Sequence, residues 1–90
     1  MIHYGFKLYI TRQSIHSEVA LANIKHICET LVNSESEVSV LDVSENPFQA
    51  EADRILATPT LIKEYPPTQR RVIGDLSDFD RVKKALGLES

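Results

Sequence analysis

Few side chains in this sequence are suited to covalent or acid–base chemistry, and their spacing assigns most of them to structure. Cys28 is the only cysteine. A lone thiol cannot build an internal disulfide, a two-cysteine redox centre or a zinc site made of several thiolates. It falls on an apolar helical stripe, where a small buried hydrophobe is expected. His3, His16 and His26 fall on a strand edge, a loop and a helix, without the convergence that a metal needs. Asp75 and Asp78 have the chemistry of an acid–base pair or of Mg²⁺ ligands. They sit, however, in Gly74-Asp75-Leu76-Ser77-Asp78, where aspartate is a preferred turn and cap residue. Gly5, Gly74 and Gly87 are too dispersed for a phosphate-cradling loop. The expectation is a protein with no catalytic residue, no cofactor and no metal. What remains is a set of cations, Arg54, Lys63, Arg70 and Arg71, which are either solvated surface charges or contacts to an acidic partner surface.

Composition agrees with a binding role of modest charge. The 90 residues are 42% hydrophobic and 26% charged, which suits one small domain spanning 1–90. The net charge is −3, divided as −4 over residues 1–62 and +1 over 63–90. A nucleic-acid binder would carry a basic face and a high pI, so nucleic acid is not an expected partner. No apolar run approaches a membrane span, and Met1-Ile2-His3-Tyr4 does not open a secretory signal. With a single cysteine, a reducing, cytoplasmic setting is expected.

The elements that must position these residues can be read from periodicity. Tyr4 to Ile10 alternates as a strand, with Phe6, Leu8 and Ile10 on one side and Lys7 and Tyr9 on the other. Ser14 or Ser17 caps a helix in which Ala20, Ile24, Ile27, Cys28 and Leu31 form the stripe, ending near Asn33-Ser34. Val38 to Val43 carries apolar groups on both faces and reads as a strand buried on two sides. A strand, a helix of about four turns and a strand make one parallel βαβ unit. Asn46-Pro47 starts a short helix with Phe48, Ala52, Ile55 and Leu56 on its apolar side. Thr58-Pro59 ends it. Thr60 to Tyr65 and Gln69 to Ile73 then make a hairpin across Pro66-Pro67-Thr68. Gly74, Asp75, Ser77 and Asp78 form the next turn, with Ser77 as the cap of a last helix built on Phe79, Val82, Ala85 and Leu86. Gly87 is placed to end that helix.

This βαβαββα order is the thioredoxin-like one, an α/β class, and it puts Thr58-Pro59 where that fold carries a cis proline. The reactive cysteines of such folds would lie in Thr11-Arg12-Gln13-Ser14, which has none. The sequence from Asn46 through Ala57-Thr58-Pro59-Thr60-Leu61, and the run Arg70-Arg71-Val72-Ile73-Gly74-Asp75-Leu76-Ser77-Asp78, resemble the signature of the KaiB family of circadian clock proteins. Lys7-Leu8-Tyr9 and Leu41-Asp42-Val43 fit the family's first two strands. The resemblance covers about residues 4–86.

Several expectations follow from the resemblance and not from spacing. The protein should be a non-enzymatic regulator that binds a KaiC-type ATPase, in a clock or a clock-derived stress or signalling system. KaiA or a sensor kinase would be further partners in a full clock. Arg54, Lys63, Arg70 and Arg71 lie in or beside matched positions. Family members are metamorphic: a dimeric or tetrameric ground state remakes the chain from about Ala50 onward, while a monomeric thioredoxin-like state binds the ATPase. Here Ala85 stands where the family usually has glycine, favouring helix by about 1 kcal/mol. The chain also stops at Ser90, short of the usual tail. Both lead to the expectation that the thioredoxin-like state predominates. A redox-inactive thioredoxin-like sensory or adaptor domain, working with a signalling histidine kinase, is the alternative reading.

Overall fold

The computed structural model of the chain describes residues 1–88. In chain order the elements are β1 (Ile2–Ile10), α1 (Ile15–Thr30), β2 (Ser34–Asp42), α2 (Pro47–Ala52), β3 (Thr60–Tyr65), β4 (Arg70–Ile73) and α3 (Phe79–Leu86). The strands make one sheet in the order β2-β1-β3-β4. β1 and β2 pair in parallel, as the intervening helix requires, with Phe6 opposite Val38 and Leu8 opposite Val40. β3 runs antiparallel to β1, and β4 antiparallel to β3. The order and pairing are those of a thioredoxin-like βαβαββα fold.

Strand alternation divides the core into two layers. On one face Tyr4, Phe6 and Leu8 of β1, with Leu61 and Val72, pack against Ala20, Ile24 and Ile27 of α1 and Val82 and Leu86 of α3. The Tyr4 and Phe6 rings lie nearly parallel, 5.9 Å between centroids. On the other face Tyr9 and Ile62 are covered by Ala50 of α2, with Leu41, Val43 and Ile55 around them. Each fully buried large side chain contributes about 1.5–3 kcal/mol of transfer free energy, so the first layer carries most of the stability.

Local chemistry sets the element ends. The Ser14 hydroxyl accepts from the Ser17 amide, so Ser14 is the α1 cap, and buried Ser17 instead receives the Thr11 amide at 3.1 Å. α1 stops at Thr30, three residues before the expected end, and the left-handed residue of the connection is Asn33, at φ 52°. β1 and β2 both extend further toward their N-termini than alternation suggested, because their parallel pairing continues from Ile10↔Asp42 back to Ile2↔Ser34.

Three expectations are corrected. β2 is not buried on two sides: it is the sheet edge, and Val38 and Val40 are 36% and 47% exposed. Among the described residues no element lies beyond β2 to cover it. α2 is shorter than its apolar pattern implied, and Phe48 and Leu56 are 86% and 93% exposed. With only six residues, α2 turns Ala50 to the sheet; Phe48 and Leu56 fall outside that contact. The cap of α3 is Asp78, whose carboxylate accepts from the Arg81 amide at 3.1 Å; the Ser77 amide instead donates to Asp75 Oδ1 at 3.1 Å. The Asp75 side chain thus closes its own turn, which moves the helix start one residue on.

Candidate partner-binding surface

The four candidate cations do not form one patch. The antiparallel register places Arg71 opposite Ile62, on the α2 side of the sheet, and Arg70 opposite Lys63, on the α1–α3 side. Arg71 reaches over the C-terminal end of α2, where its guanidinium donates to the carbonyls of Asp53 at 2.7 Å and Arg54 at 3.3 Å. Arg54 itself is exposed, with a left-handed backbone at φ 56°. The structure therefore brings Arg54 and Arg71 together and leaves Lys63 and Arg70 elsewhere. Arg70 lies against Gly87 at the end of α3.

Lys63 departs furthest from expectation. A solvated surface charge and a contact to an acidic partner both require exposure, but Lys63 is only 4% exposed. Its β3 position faces the layer that holds Phe6 and Leu61. Burial, and then the charge of Arg70, hold its pKa below the ordinary lysine value.

The positioning of Arg54 depends on residues that alternation alone did not mark as a site. Lys7 and Tyr9 share the α2 side of β1. Lys7 Nζ lies 2.9 Å from both Asp53 Oδ2 and Glu64 Oε2, and the Tyr9 hydroxyl donates to the same Asp53 oxygen at 2.5 Å. Asp53 is the residue just past α2, so this contact and the Arg71 bonds tie the segment after the helix to β1 and β4. The Tyr9 hydroxyl, followed by Lys7, holds the Asp53 carboxyl below its usual range against the opposing effect of burial. Burial, and then the bond to Asp53, push the Tyr9 phenol up to about 12. For Lys7, burial acts downward, but the bonds to Asp53 and Glu64 outweigh it and the amine is raised. A lysine in an alternating strand, on the side away from the main apolar set, was the available signal for this cluster.

The result is a surface with a rigid base and exposed apolar groups. Arg54 lines a shallow groove with Val43, Pro47, Ala50, Glu51, Ile55 and the exposed Leu56, and Phe48 of α2 is also exposed. Solvent-facing aliphatic groups beside arginine suit an interface with an apolar centre and a charged rim.

The turn residues act as supports. Thr58-Pro59 is cis, and the buried Pro59 carbonyl accepts the Gly74 amide at 2.9 Å. Gly74 has φ 124°, a conformation that residues with a side chain resist. The Asp75 carbonyl receives Asn23 Nδ2 at 2.8 Å, fastening this turn to α1. Ala85 is half-buried within α3, and Gly87 ends that helix in the left-handed conformation, its amide bonding back to Lys83 and Lys84.

The loop where thioredoxins carry reactive cysteines holds Thr11, whose hydroxyl lies 2.6 Å from that of Thr58. Beside it, Asp42 anchors the β2–α2 connection through the Ser44 hydroxyl, the Ser44 amide at 2.8 Å and the Arg12 amide at 2.9 Å. The Ser44 hydroxyl leads these contacts in depressing the Asp42 pKa. Cys28 is half-buried on α1, and burial raises its pKa, the reverse of a reactive thiolate. Among the described residues no group of three or more His, Cys, Asp or Glu could hold a metal ion. No helix among the described residues is long and apolar enough to cross a membrane.

Comparisons with known proteins agree with this geometry. The KaiB domain profile matches residues 7–88. The chain is 45% identical over 83 residues to the circadian clock protein KaiB3 of Synechocystis sp., covering 92% of this chain and 79% of that one. It is 47% identical over 85 residues to the circadian clock oscillator protein KaiB of Acaryochloris marina, covering 94% and 82%. Among solved structures it resembles the N-terminal domain of Synechococcus elongatus SasA, with a TM-score of 0.77 at 20% identity, over 93% of this chain and 83% of that one. It also resembles mitochondrial thioredoxin 3 of Saccharomyces cerevisiae, with a TM-score of 0.73 at 13% identity, over 93% and 76%. Those two likenesses define the fold, and the sequence matches define the lineage: this chain belongs to the KaiB family of circadian clock proteins.

Proposed function

We propose that the chain is a non-enzymatic clock regulator that docks on a KaiC-type ATPase through the α2 side of its sheet. The observation that carries this reading is the grouping of exposed Leu56 with Arg54 and Arg71 on a base held by Asp53. Apolar anchors supply affinity, and the arginines supply attraction to an acidic ring surface and a faster encounter. Catalysis has no counterpart in this arrangement, because the aligned loop offers hydroxyls and no activated nucleophile. The protein acts in the cytoplasm, where such an ATPase would be met.

Lys63 and Arg70 are not part of the proposed contact. One is buried and the other faces the end of α3. The test is binding of the purified protein to a KaiC homologue with ATP, followed by interferometry. Arg54→Glu and Leu56→Asp should each weaken binding by about tenfold or more, roughly 1.4 kcal/mol. Arg70→Glu should change it little. Equal binding by all variants, or no binding by the parent protein, would overturn the proposal.

A further inference from the structure

β3 and β4 set two cations face to face. In their antiparallel register Lys63 is directly opposite Arg70. Alternation puts both on the α1–α3 side of the sheet, where Leu61 and Val72 are the next residues of the same two strands. Directly opposed side chains have Cβ atoms about 4.5–5.5 Å apart, and like charges so placed destabilise a strand pair. Burial makes this pair costlier than a surface one, because Lys63 is only 4% exposed. Lys7 shows how the same sheet treats a sheltered lysine whose charge is answered. Its amine meets Asp53 and Glu64, each at 2.9 Å, and its pKa is raised. Lys63 is lowered instead, by burial and then by Arg70. Among the described residues neither Lys63 nor Arg70 has a side-chain hydrogen bond or an ion pair. No buried side-chain nitrogen or oxygen among these residues lacks a partner. The Lys63 amine therefore keeps its tip at the narrow opening that leaves the residue 4% exposed, within reach of a solute. The Arg70 guanidinium lies against Gly87, where α3 ends. That helix end offers the two cations only about half a negative charge.

We infer that Lys63 and Arg70 together hold a small oxyanion of the phosphate class at the C-terminal end of α3. The ammonium supplies a compact point charge, and the guanidinium supplies paired N–H donors that match phosphate oxygens. A dianion between the two turns one repulsion into two attractions, whereas a single carboxylate would neutralise only one of them. Because the anion binds the folded register and not the unfolded chain, it also stabilises the fold by linkage. Gly87 lines a pocket of about 470 Å³ together with Tyr4, Tyr65 and Pro66, which leaves room for the organic part of a phosphomonoester. The inference does not depend on docking to an ATPase, since Arg54 and Arg71 lie on the opposite side of the sheet.

The test is an NMR titration of the intact, ¹⁵N-labelled protein with inorganic phosphate and with phenyl phosphate, against sodium chloride of equal ionic strength. The backbone amide signals of Lys63, Arg70 and Gly87 should shift and saturate with a dissociation constant of about 1 mM or tighter. Lys63→Met and Arg70→Gln should each weaken binding by about tenfold or more. Lys25→Gln removes an exposed cation of α1 and should change binding by less than about twofold. Saturation by both ligands assigns recognition to the phosphoryl group itself; saturation by phenyl phosphate alone assigns it to a phosphomonoester. Arg70 is exposed, so Arg70→Gln should keep the parent fold and decides the matter even if Lys63→Met fails to fold. The inference is overturned if the shifts do not saturate, if chloride reproduces them, or if Arg70→Gln leaves them unchanged.

Discussion

The Tyr9 hydroxyl and the Asp53 carboxylate, 44 residues apart in sequence, meet at 2.5 Å, and Lys7 Nζ reaches the same oxygen at 2.9 Å. This contact fastens the segment after α2 to the central strand. A charge-assisted hydrogen bond of this kind contributes about 1.5–3 kcal/mol when sheltered, and less here because the Asp53 side chain is partly exposed. Asp53→Ala should therefore cost about 1–2 kcal/mol in urea unfolding and increase the mobility of Arg54 and Leu56. Unchanged stability would show that the tie is dispensable.

The same cluster sets a pH dependence with two opposite limbs. Asp53 has a lowered pKa, so its contribution is present above the unfolded value of about 3.9 and is lost as pH falls through the folded value. Tyr9 is raised to about 12 and Lys7 is raised, so their contributions are present below about 10 and are lost as pH climbs through their folded values. Thermal melts should show parent and Asp53→Asn converging below about pH 4 and separating at neutral pH. A constant difference across that range would contradict this assignment.

Lys63 is buried with its amine held toward the neutral form, the reverse of a stabilising ion pair. With a lowered pKa, stability rises as pH rises through the folded value toward the unfolded one. Lys63→Met, which keeps the length and removes the charge, should raise the melting temperature at pH 7 by about 4–8 °C for each kcal/mol recovered. A lower melting temperature would mean that the ammonium has a stabilising role.

Leu86 and Leu56 separate stability from binding. Leu86 is fully buried, so Leu86→Ala should destabilise by about 2–5 kcal/mol. Leu56 is almost fully exposed, and Leu56→Ala should lie within about 0.5 kcal/mol of the parent while weakening capture of the ATPase. Denaturant melts and interferometry on the same two variants check both halves.

Gly74 and Gly87 should also differ. At Gly87 the left-handed angles are ones a side chain can adopt, and a Cβ would meet Arg70 at an ordinary 3.8 Å, so Gly87→Ala should cost about 1 kcal/mol. Gly74 sits at φ 124°, outside any comfortable region for other residues, and Gly74→Ala should cost about 1–3 kcal/mol, more than Gly87→Ala. Comparable melting temperatures for the two variants would refute the distinction.

Much of the fold was legible because its determinants are local. The alternation of Phe6 and Leu8 marks β1, and the stripe Ala20-Ile24-Ile27 marks the buried face of α1. Gly74 and Gly87 announce their turn and helix end through short-range backbone chemistry, while the α1 cap was narrowed to Ser14 or Ser17. The family signature is likewise contiguous, from Asn46 to Leu61 and from Arg70 to Asp78.

The candidate site was only partly legible. Arg54 and Arg71 could be named, but not their meeting, and the supporting trio Lys7, Tyr9 and Asp53 spans two elements distant in sequence. Ser77 and Asp78 compete for one cap, and a side-chain bond from Asp75 decides between them.

By itself, the sequence determined the element order, the apolar stripe of α1, the absence of paired thiols and the family, since each is written in residue type and short spacing. Tertiary structure decided which cations share a face, that Lys63 is buried, that Phe48 and Leu56 stand in solvent, and that β2 is an open edge. The physical reason is strand order and register: a side chain's neighbours across a sheet, and whether a further strand covers an edge, depend on parts of the chain that periodicity cannot see.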